Sequence, residues 1–246
     1  MDEEQKLIES LKSLCAMGPV AAFGSGSNSV GKTMQNYLGI RHKVVERNKL
    51  FGYTITSTLG KFNSGGRTNL FACVPDWNLS RYKSSNEFVM QFGRENVGRG
   101  YQKSLFCTVN SLNKNSFGLQ LKVDIGNRSL EEWAYSGNEW SLAVKWSLGE
   151  IQRRLSKLGK TAIVRAVPVD LNGTKAFHYR YLDLLGAPQI SSFLDLIDSG
   201  GVTIDHCISM KYGSSSAREQ GPLFKIRADS LGEMYTGIRR FDLMDI

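Results

Sequence analysis

Three groups of residues in this sequence have the types and spacing that chemistry requires: a glycine-rich loop ending in Lys-Thr, a few acids after apolar runs, and a Gly/Ser loop bearing Arg and Gln. Gly26, Gly31, Lys32 and Thr33 spell GxxxxGK[ST]. In such a loop backbone N–H groups wrap phosphates, the lysine meets the terminal phosphates and the hydroxyl takes a place on magnesium. The motif works between a buried strand and a long helix. Here only Val-Ala-Ala-Phe precedes it, after Gly18-Pro19, and Gly39 closes the following helix within two turns. A nucleotide-hydrolysing site also needs an acid ending an apolar run. The candidates are Asp124, whose run is broken by Lys122, and Asp170, whose run contains Pro168. The stretch therefore reads as a Gly/Ser loop capping a short helix, with a P-loop NTP-binding protein as an alternative.

The remaining reactive side chains form no pattern. His42, His178 and His206 are scattered and suggest neither a ligand set nor a base. Cys15, Cys73, Cys107 and Cys207 never form a CxxC pair, which speaks against a zinc site or disulfide scaffold and for buried thiols in a reducing cytoplasm. The chain carries 31 Lys and Arg against 23 Asp and Glu, a formal charge of +8. That excess favours a polyanionic partner, because each phosphate neutralised releases a counterion. With 246 residues, 41% hydrophobic and 22% charged, the composition is that of a soluble globular chain with a sizeable core. No apolar run approaches the roughly 20 residues of a membrane span, so no membrane partner is expected. The acidic, amphipathic start is neither a signal nor a transit peptide.

Elements that would position these groups alternate without repeats. Residues 2–17 place Leu7, Leu11, Leu14 and Cys15 at helical spacing. A short helix follows the glycine loop from Met34. Residues 50–59 and 68–74 read as strands around a turn at residues 63–66, and residues 86–95 as a helix. Three or four strands are expected next, most clearly at residues 104–109, 117–125 and 139–146. Ser147 opens a helix, with Glu150 completing a capping box. Strands at 161–169 and 175–184, a helix at 191–198, strands at 202–210 and 223–227 and a last short helix near Asp229 complete the chain. This pattern predicts one α/β or α+β domain over residues 1–246.

Five stretches in this order resemble the MvaI/BcnI family of type II restriction endonucleases: SVGKTMQNYLGI, LFGYTITST, the TNLF and PDW segments, WSLGEIQRRLSKLGKTAIVRA, and FLDLIDSGGVTIDHCI followed by GPLFKI. The likeness spans about residues 24–235. It implies an α/β fold of the PD-(D/E)xK nuclease class: a mixed β-sheet core flanked by helices, with a second, β-rich DNA-recognition lobe. It places the catalytic-like lobe at about residues 20–170 and the recognition lobe at about 171–246. It also implies action on double-stranded DNA at short sites with CC and GG flanks, through carboxylates that hold magnesium and a lysine near the attacking water. The family's pattern is a helix Glu, then Asp, four residues, Glu, one residue, Lys. In this chain those positions hold Gln35, Lys49, Thr54 and Thr56. None matches. Amide and hydroxyl groups are neutral, and an ammonium repels a divalent cation where a carboxylate should attract it, a change of several kcal/mol at an effective dielectric near 20. Glu46 is the one nearby acid, and a single carboxylate rarely holds magnesium. The resemblance thus implies a degenerate, pseudo-nuclease DNA binder with no metal ligands and no cofactor, working alone or beside an active nuclease or methyltransferase subunit. The alternative is an active nuclease whose magnesium site has been rebuilt from Glu46, Asp124 or other acids.

The resemblance puts the family's major-groove loop at residues 211–221, where the family carries Asp-His-Gly and this chain has Glu219-Gln220-Gly221. Lys211, Tyr212, Ser214, Arg218 and Gln220 supply donors there. Arg218 suits guanine and Gln220 adenine. Lys225 and Arg227 alternate on the next strand and suit phosphate contact, and Arg67, Arg81, Lys83 and Lys103 are further candidate phosphate clamps.

Overall fold

Leucines at helical spacing and an acidic cap set the first element. The computed structural model describes residues 1–26, 28–40, 49–60 and 66–246. Helix α1 (Glu3–Ala16) starts where the Asp2 carboxylate accepts the Gln5 N–H at 2.7 Å. Then come β1 (Val20–Ala21), α2 (Ser29–Tyr37), β2 (Lys49–Leu50), β3 (Tyr53–Leu59), β4 (Arg67–Ala72), α3 (Ser85–Phe92), β5 (Arg94–Asn96), β6 (Tyr101–Val109) and β7 (Leu119–Asp124). The chain continues through β8 (Ser129–Ser136), β9 (Glu139–Ser147), α4 (Leu148–Ser156), β10 (Thr161–Leu171), β11 (Thr174–Leu185), α5 (Ile190–Asp198) and β12 (Val202–Lys211). It ends with β13 (Arg218–Glu219), β14 (Leu223–Arg227), α6 (Leu231–Met234) and β15 (Ile238–Asp242). The fold is mixed α/β. No helix among the described residues is long and apolar enough to cross a membrane.

The chain forms two compact units, each assembled from separated segments. The first comprises Met1–Gly66, Leu158–Pro188 and Tyr235–Ile246; the second comprises Arg67–Lys157 and Gln189–Met234. The lobe boundary expected near residue 170 is thereby corrected. Residue 170 lies in β10, paired with Lys175 of β11 around the hairpin turn Asn172-Gly173, where both residues have positive φ.

In the first unit the strand order is β1-β11-β10-β3-β2, with β15 also on β11; β3 and β10 run parallel and the other pairs antiparallel. One face carries Tyr53, Ile55, Ala162, Val164, Phe177 and Tyr179, packed with Leu7, Leu11 and Leu14 of α1 and Val30 and Met34 of α2. The strand expected over residues 50–59 is in fact a hairpin. Phe51 and Gly52 both take positive φ, 47° and 78°, and turn β2 back on β3. Gly52 adopts this freely; Phe51 does so at a cost of about 1–3 kcal/mol. Helix α2 begins five residues before its expected start. The Thr33 hydroxyl donates to the Ser29 carbonyl at 2.8 Å and accepts the Phe23 N–H at 2.7 Å, which draws the glycine-loop end into the helix.

The second unit holds a sheet in the order β4-β14-β12-β6-β5, with β13 also on β12, and a three-stranded antiparallel sheet β7-β8-β9. Phe224 is buried against Phe71 (centroids 4.8 Å apart) and Trp146 (5.9 Å), and the Trp146 indole N–H donates to the Cys73 carbonyl at 2.8 Å. Strand β8 is the fourth strand that the sequence leaves unplaced. Its consecutive Glu131 and Glu132 are both buried. Lys145 reaches Glu131 at 2.7 Å and His206 reaches Glu132 at 2.9 Å. The capping box of α4 is half made: Ser147 Oγ accepts the Glu150 N–H at 3.2 Å, but the Glu150 carboxylate turns to Arg153 and Arg154, which hold it down to about 2.

Truncating Phe224→Ala should destabilise the protein by about 3–5 kcal/mol, and Ser147→Ala by about 1 kcal/mol. Urea unfolding measures both, and equal effects would contradict this packing.

Candidate nucleic-acid interface

The sheet of the first unit shows where Lys49, Thr54 and Thr56 lie, three of the positions that the resemblance singled out. In the β3–β10 register, Thr54 faces Thr161, Thr56 faces Ile163 and Thr58 faces Arg165; Lys49 is the antiparallel partner of Thr54. Alternation therefore puts Lys49, Thr54 and Thr56 on one sheet face, opposite the face holding Tyr53 and Ile55. Gln35 is a half-buried residue of α2. The Thr54 hydroxyl donates to the Leu158 carbonyl at 2.6 Å, so it serves the β3–β10 seam.

An acid does stand on that face. Asp183 of β11 is the partner of Ile163 and is fully buried. Arg165 Nε donates to its Oδ2 at 2.8 Å, and Arg240 Nε lies 3.4 Å from Oδ1. Two guanidiniums already balance it. An amide, an ammonium, two hydroxyls and a neutralised carboxylate do not fit a divalent cation. Among the described residues, no three His, Cys, Asp or Glu side chains group as a metal site. Glu46 lies outside the described residues, as does His42. Asp124, the other acid named for a rebuilt site, ends β7 in the second unit, where its carboxylate takes the Asn127 N–H and Nδ2 at 2.9 Å each. Those two bonds hold it below the usual carboxylate range.

The glycine loop has the wrong context for phosphate hydrolysis. Strand β1 is two residues long and antiparallel to its neighbour, the Thr33 hydroxyl is buried with both its bonds internal, and the Asp170 carboxylate caps the β10–β11 turn through the Gly173 N–H at 2.7 Å.

In the second unit, β12 alternates. Val202, Ile204, His206 and Ile208 face the core, while Thr203, Asp205, Cys207 and Ser209 face the other way. On that polar face Arg67 grips Asp205 with both terminal nitrogens, at 2.6 and 3.1 Å, and also donates to the Thr203 hydroxyl at 2.7 Å. Lys225 lies 2.7 Å from the other carboxylate oxygen, and Thr108 donates at 2.7 Å. Burial pushes the Asp205 carboxyl up, but Lys225, Arg67 and Thr108 together hold it below its ordinary value. Arg67 and Lys225 were expected as separate clamps; the structure joins them on Asp205, which the sequence reading missed. Its signal was the period-two pattern of VTIDHCIS.

Residues 211–221 form the other basic feature. Lys211, Ser214 and Arg218 line a cleft of about 280 Å³ with Tyr101, Ser209, Ser216 and Ala217. Lys211, Arg218 and Gln220 are exposed. Tyr212 donates to Glu95 at 3.2 Å, and Ser214 Oγ donates to the Ser216 carbonyl at 2.8 Å. The remaining candidates do not join this group. Arg227 is bound to Asp229, Lys83 folds back onto the Ser80 and Asn78 carbonyls, Arg81 stands over Tyr82, and Lys103 is the partner of Met210 on the core-side face.

This is the fold of a restriction endonuclease. The chain belongs to the MvaI/BcnI restriction endonuclease family, whose sequence model matches residues 8–235. Among solved structures it is similar to a restriction endonuclease MvaI–cognate DNA substrate complex, at 18% identity and a TM-score of 0.80, with 97% of each chain covered. It is also similar to restriction endonuclease MvaI in the absence of DNA, at 17% identity and a TM-score of 0.60, with 98% of each covered. At such identities the likeness concerns the fold. A comparison with curated proteins finds no match.

Asp205→Asn should cost about 2 kcal/mol, the scale of hydrogen bonds to a charged group. Because the native carboxyl is held below its ordinary 3.8, its contribution is present above that pH and lost as pH falls through the depressed value. Urea unfolding at neutral and acid pH should therefore show the wild-type advantage over the variant shrinking in acid.

Proposed function

We propose that this chain binds double-stranded DNA through its second unit and does not itself hydrolyse phosphodiesters. One observation carries the second half of that reading. Where the family's metal centre belongs, this chain has Gln35, Lys49, Thr54 and Thr56, and the buried acid on the same sheet face, Asp183, is balanced by Arg165 and Arg240. A metal-dependent nuclease needs negative oxygens that gather a cation, lower the pKa of its water and offset charge growing on the phosphate. This donor set supplies none of those functions, so no magnesium is expected to be bound. Strand cutting at a bound site then falls to a separate nuclease subunit.

Three observations support DNA as the ligand: family membership, a structural neighbour solved with cognate DNA, and the net charge of +8. The cleft beside Lys211 and Arg218 has donors suited to a groove edge, Arg218 for guanine O6 and N7 and Lys211 for phosphate. The Arg67–Asp205–Lys225 cluster keeps one net positive charge on the same face of that sheet.

A second reading, an active site-specific nuclease with relocated acids, is favoured by the family itself. One experiment separates them. Duplex DNA should be retained by the protein in chelator, with affinity falling steeply as salt rises. Supercoiled plasmid should stay intact with magnesium or manganese. Cutting that depends on the metal and is lost in Asp183→Asn would reverse the assignment; absence of any retention at low salt would remove DNA binding altogether. Arg218→Ala should weaken binding to a preferred site by about 1–3 kcal/mol, while Lys211→Ala should lower affinity for all sequences and reduce the salt slope by about one. Fluorescence anisotropy over a salt series distinguishes the two effects.

A further inference from the structure

The DNA-facing loop closes onto a buried ionisable cluster that none of the roles above uses. After residues 211–217 the chain returns along β12 as β13, with Arg218 opposite Ser209 and Glu219 opposite Ile208. Alternation sends these neighbours in opposite directions: Arg218 to the cleft, Glu219 to the core-side face. Two residues along β12 on that same face lies His206, 1% exposed, with Nε2 2.9 Å from Oε2 of the fully buried Glu132. Diagonal neighbours of this kind are within reach of long side chains. One oxygen of Glu219, Nδ1 of His206 and Oε1 of Glu132 are all buried without a hydrogen-bond partner among the described residues. Such orphans are rare in native folds, and three at one spot call for an explanation.

The loop is also held from α3. Asn86 Nδ2 donates to the Ser215 carbonyl at 3.0 Å, and Asn86 Oδ1 accepts the Ala217 N–H at 2.7 Å. The neighbouring Ser85 hydrogen-bonds Glu219. The first turn of one helix thus grips the loop backbone and the carboxyl that anchors the loop's end.

We propose that Glu219 is a positioning residue for the DNA-reading loop: seated as a neutral acid beside the His206–Glu132 pair it holds Arg218 at the cleft, and its ionisation unseats β13. This rests on the reading of residues 211–221 as the DNA contact. The groups that face the cluster agree in sign. Burial raises Glu219, opposed in part by the Ser85 hydrogen bond and the His206 charge. Burial opposes the charge on His206, but Glu132, with help from Glu219 and Asp205, raises it overall. The Cys107 thiol, on the partner of His206 in β6, is pushed up to about 12 by burial and stays protonated. Phe88 of α3 adds only a ring, 5.1 Å from the imidazole. A neutral Glu219 leaves an internally balanced pair; an ionised one leaves an excess buried negative charge. Both raised groups favour the seated loop below their ordinary values, 4.5 for Glu and 6.5 for His, and that stabilisation is lost as pH rises through the folded values.

The test is hydrogen exchange of the residue 213–220 amides without DNA, corrected for intrinsic rate, alongside anisotropy with duplex DNA, both from about pH 5 to about pH 9. Wild-type protection and affinity should fall together with rising pH, by about tenfold for each unit that burial displaces the carboxyl, and Glu219→Gln should flatten both profiles. A flat wild-type exchange profile, or a Glu219→Gln profile that follows wild type, overturns the proposal. If that variant does not fold, the wild-type exchange profile decides alone. Failure to bind DNA at any pH would strike the DNA reading, while the exchange profile still judges the seat.

Discussion

Strand β12 carries a carboxylate on one face and an imidazole on the other, and an unpaired charge on a central strand costs several kcal/mol. The second unit is arranged around meeting that demand. Arg67 from β4, Lys225 from β14 and Thr108 from β6 converge on Asp205, while Glu132 from β8 meets His206. These partners come from four strands distant in sequence. Polar pairing thus helps specify which strands assemble around β12, and it leaves a basic, hydrogen-bonded face where separate phosphate clamps were expected.

The first unit applies the same electrostatics to a different end. Its central pair, β3 and β10, runs parallel, and the sheet face bearing Lys49, Thr54 and Thr56 is threonine-rich. A threonine is a good strand residue whether or not chemistry occurs nearby. On that face Asp183 is compensated by guanidiniums. Such a pair is weak evidence of stability, but breaking it by removing one partner is costly. The face is consistent as structure and poor as a metal site.

How the loop is held bears on what it can do. Residues 211–221 are rich in Gly and Ser, a composition that alone suggests a mobile segment. Asn86, Ser85 and the β13 pairing give it defined anchors, so Arg218 is presented from a strand. Preorganised donors lose less entropy on binding than donors on a free loop.

Local signals were legible wherever structure is governed by local chemistry: the leucine spacing and Asp2 cap of α1, the Ser147 cap of α4, most strands, and the family. Strand β8 was not legible, because Ser-Leu-Glu-Glu looks like a solvated surface until Lys145 and His206 arrive from elsewhere. The split of residues 50–59 was missed because Phe51 at positive φ is a conformation its own side chain disfavours. Asp205 was hidden in an alternating strand until its cations were brought together, and the two-unit division was hidden because each unit joins segments far apart in the chain. The sequence alone determined which atoms are available for binding and which family the chain belongs to. Only the tertiary structure decided which charges neutralise each other, because Coulomb and hydrogen-bond energies depend on separations of a few ångströms that chain order does not encode.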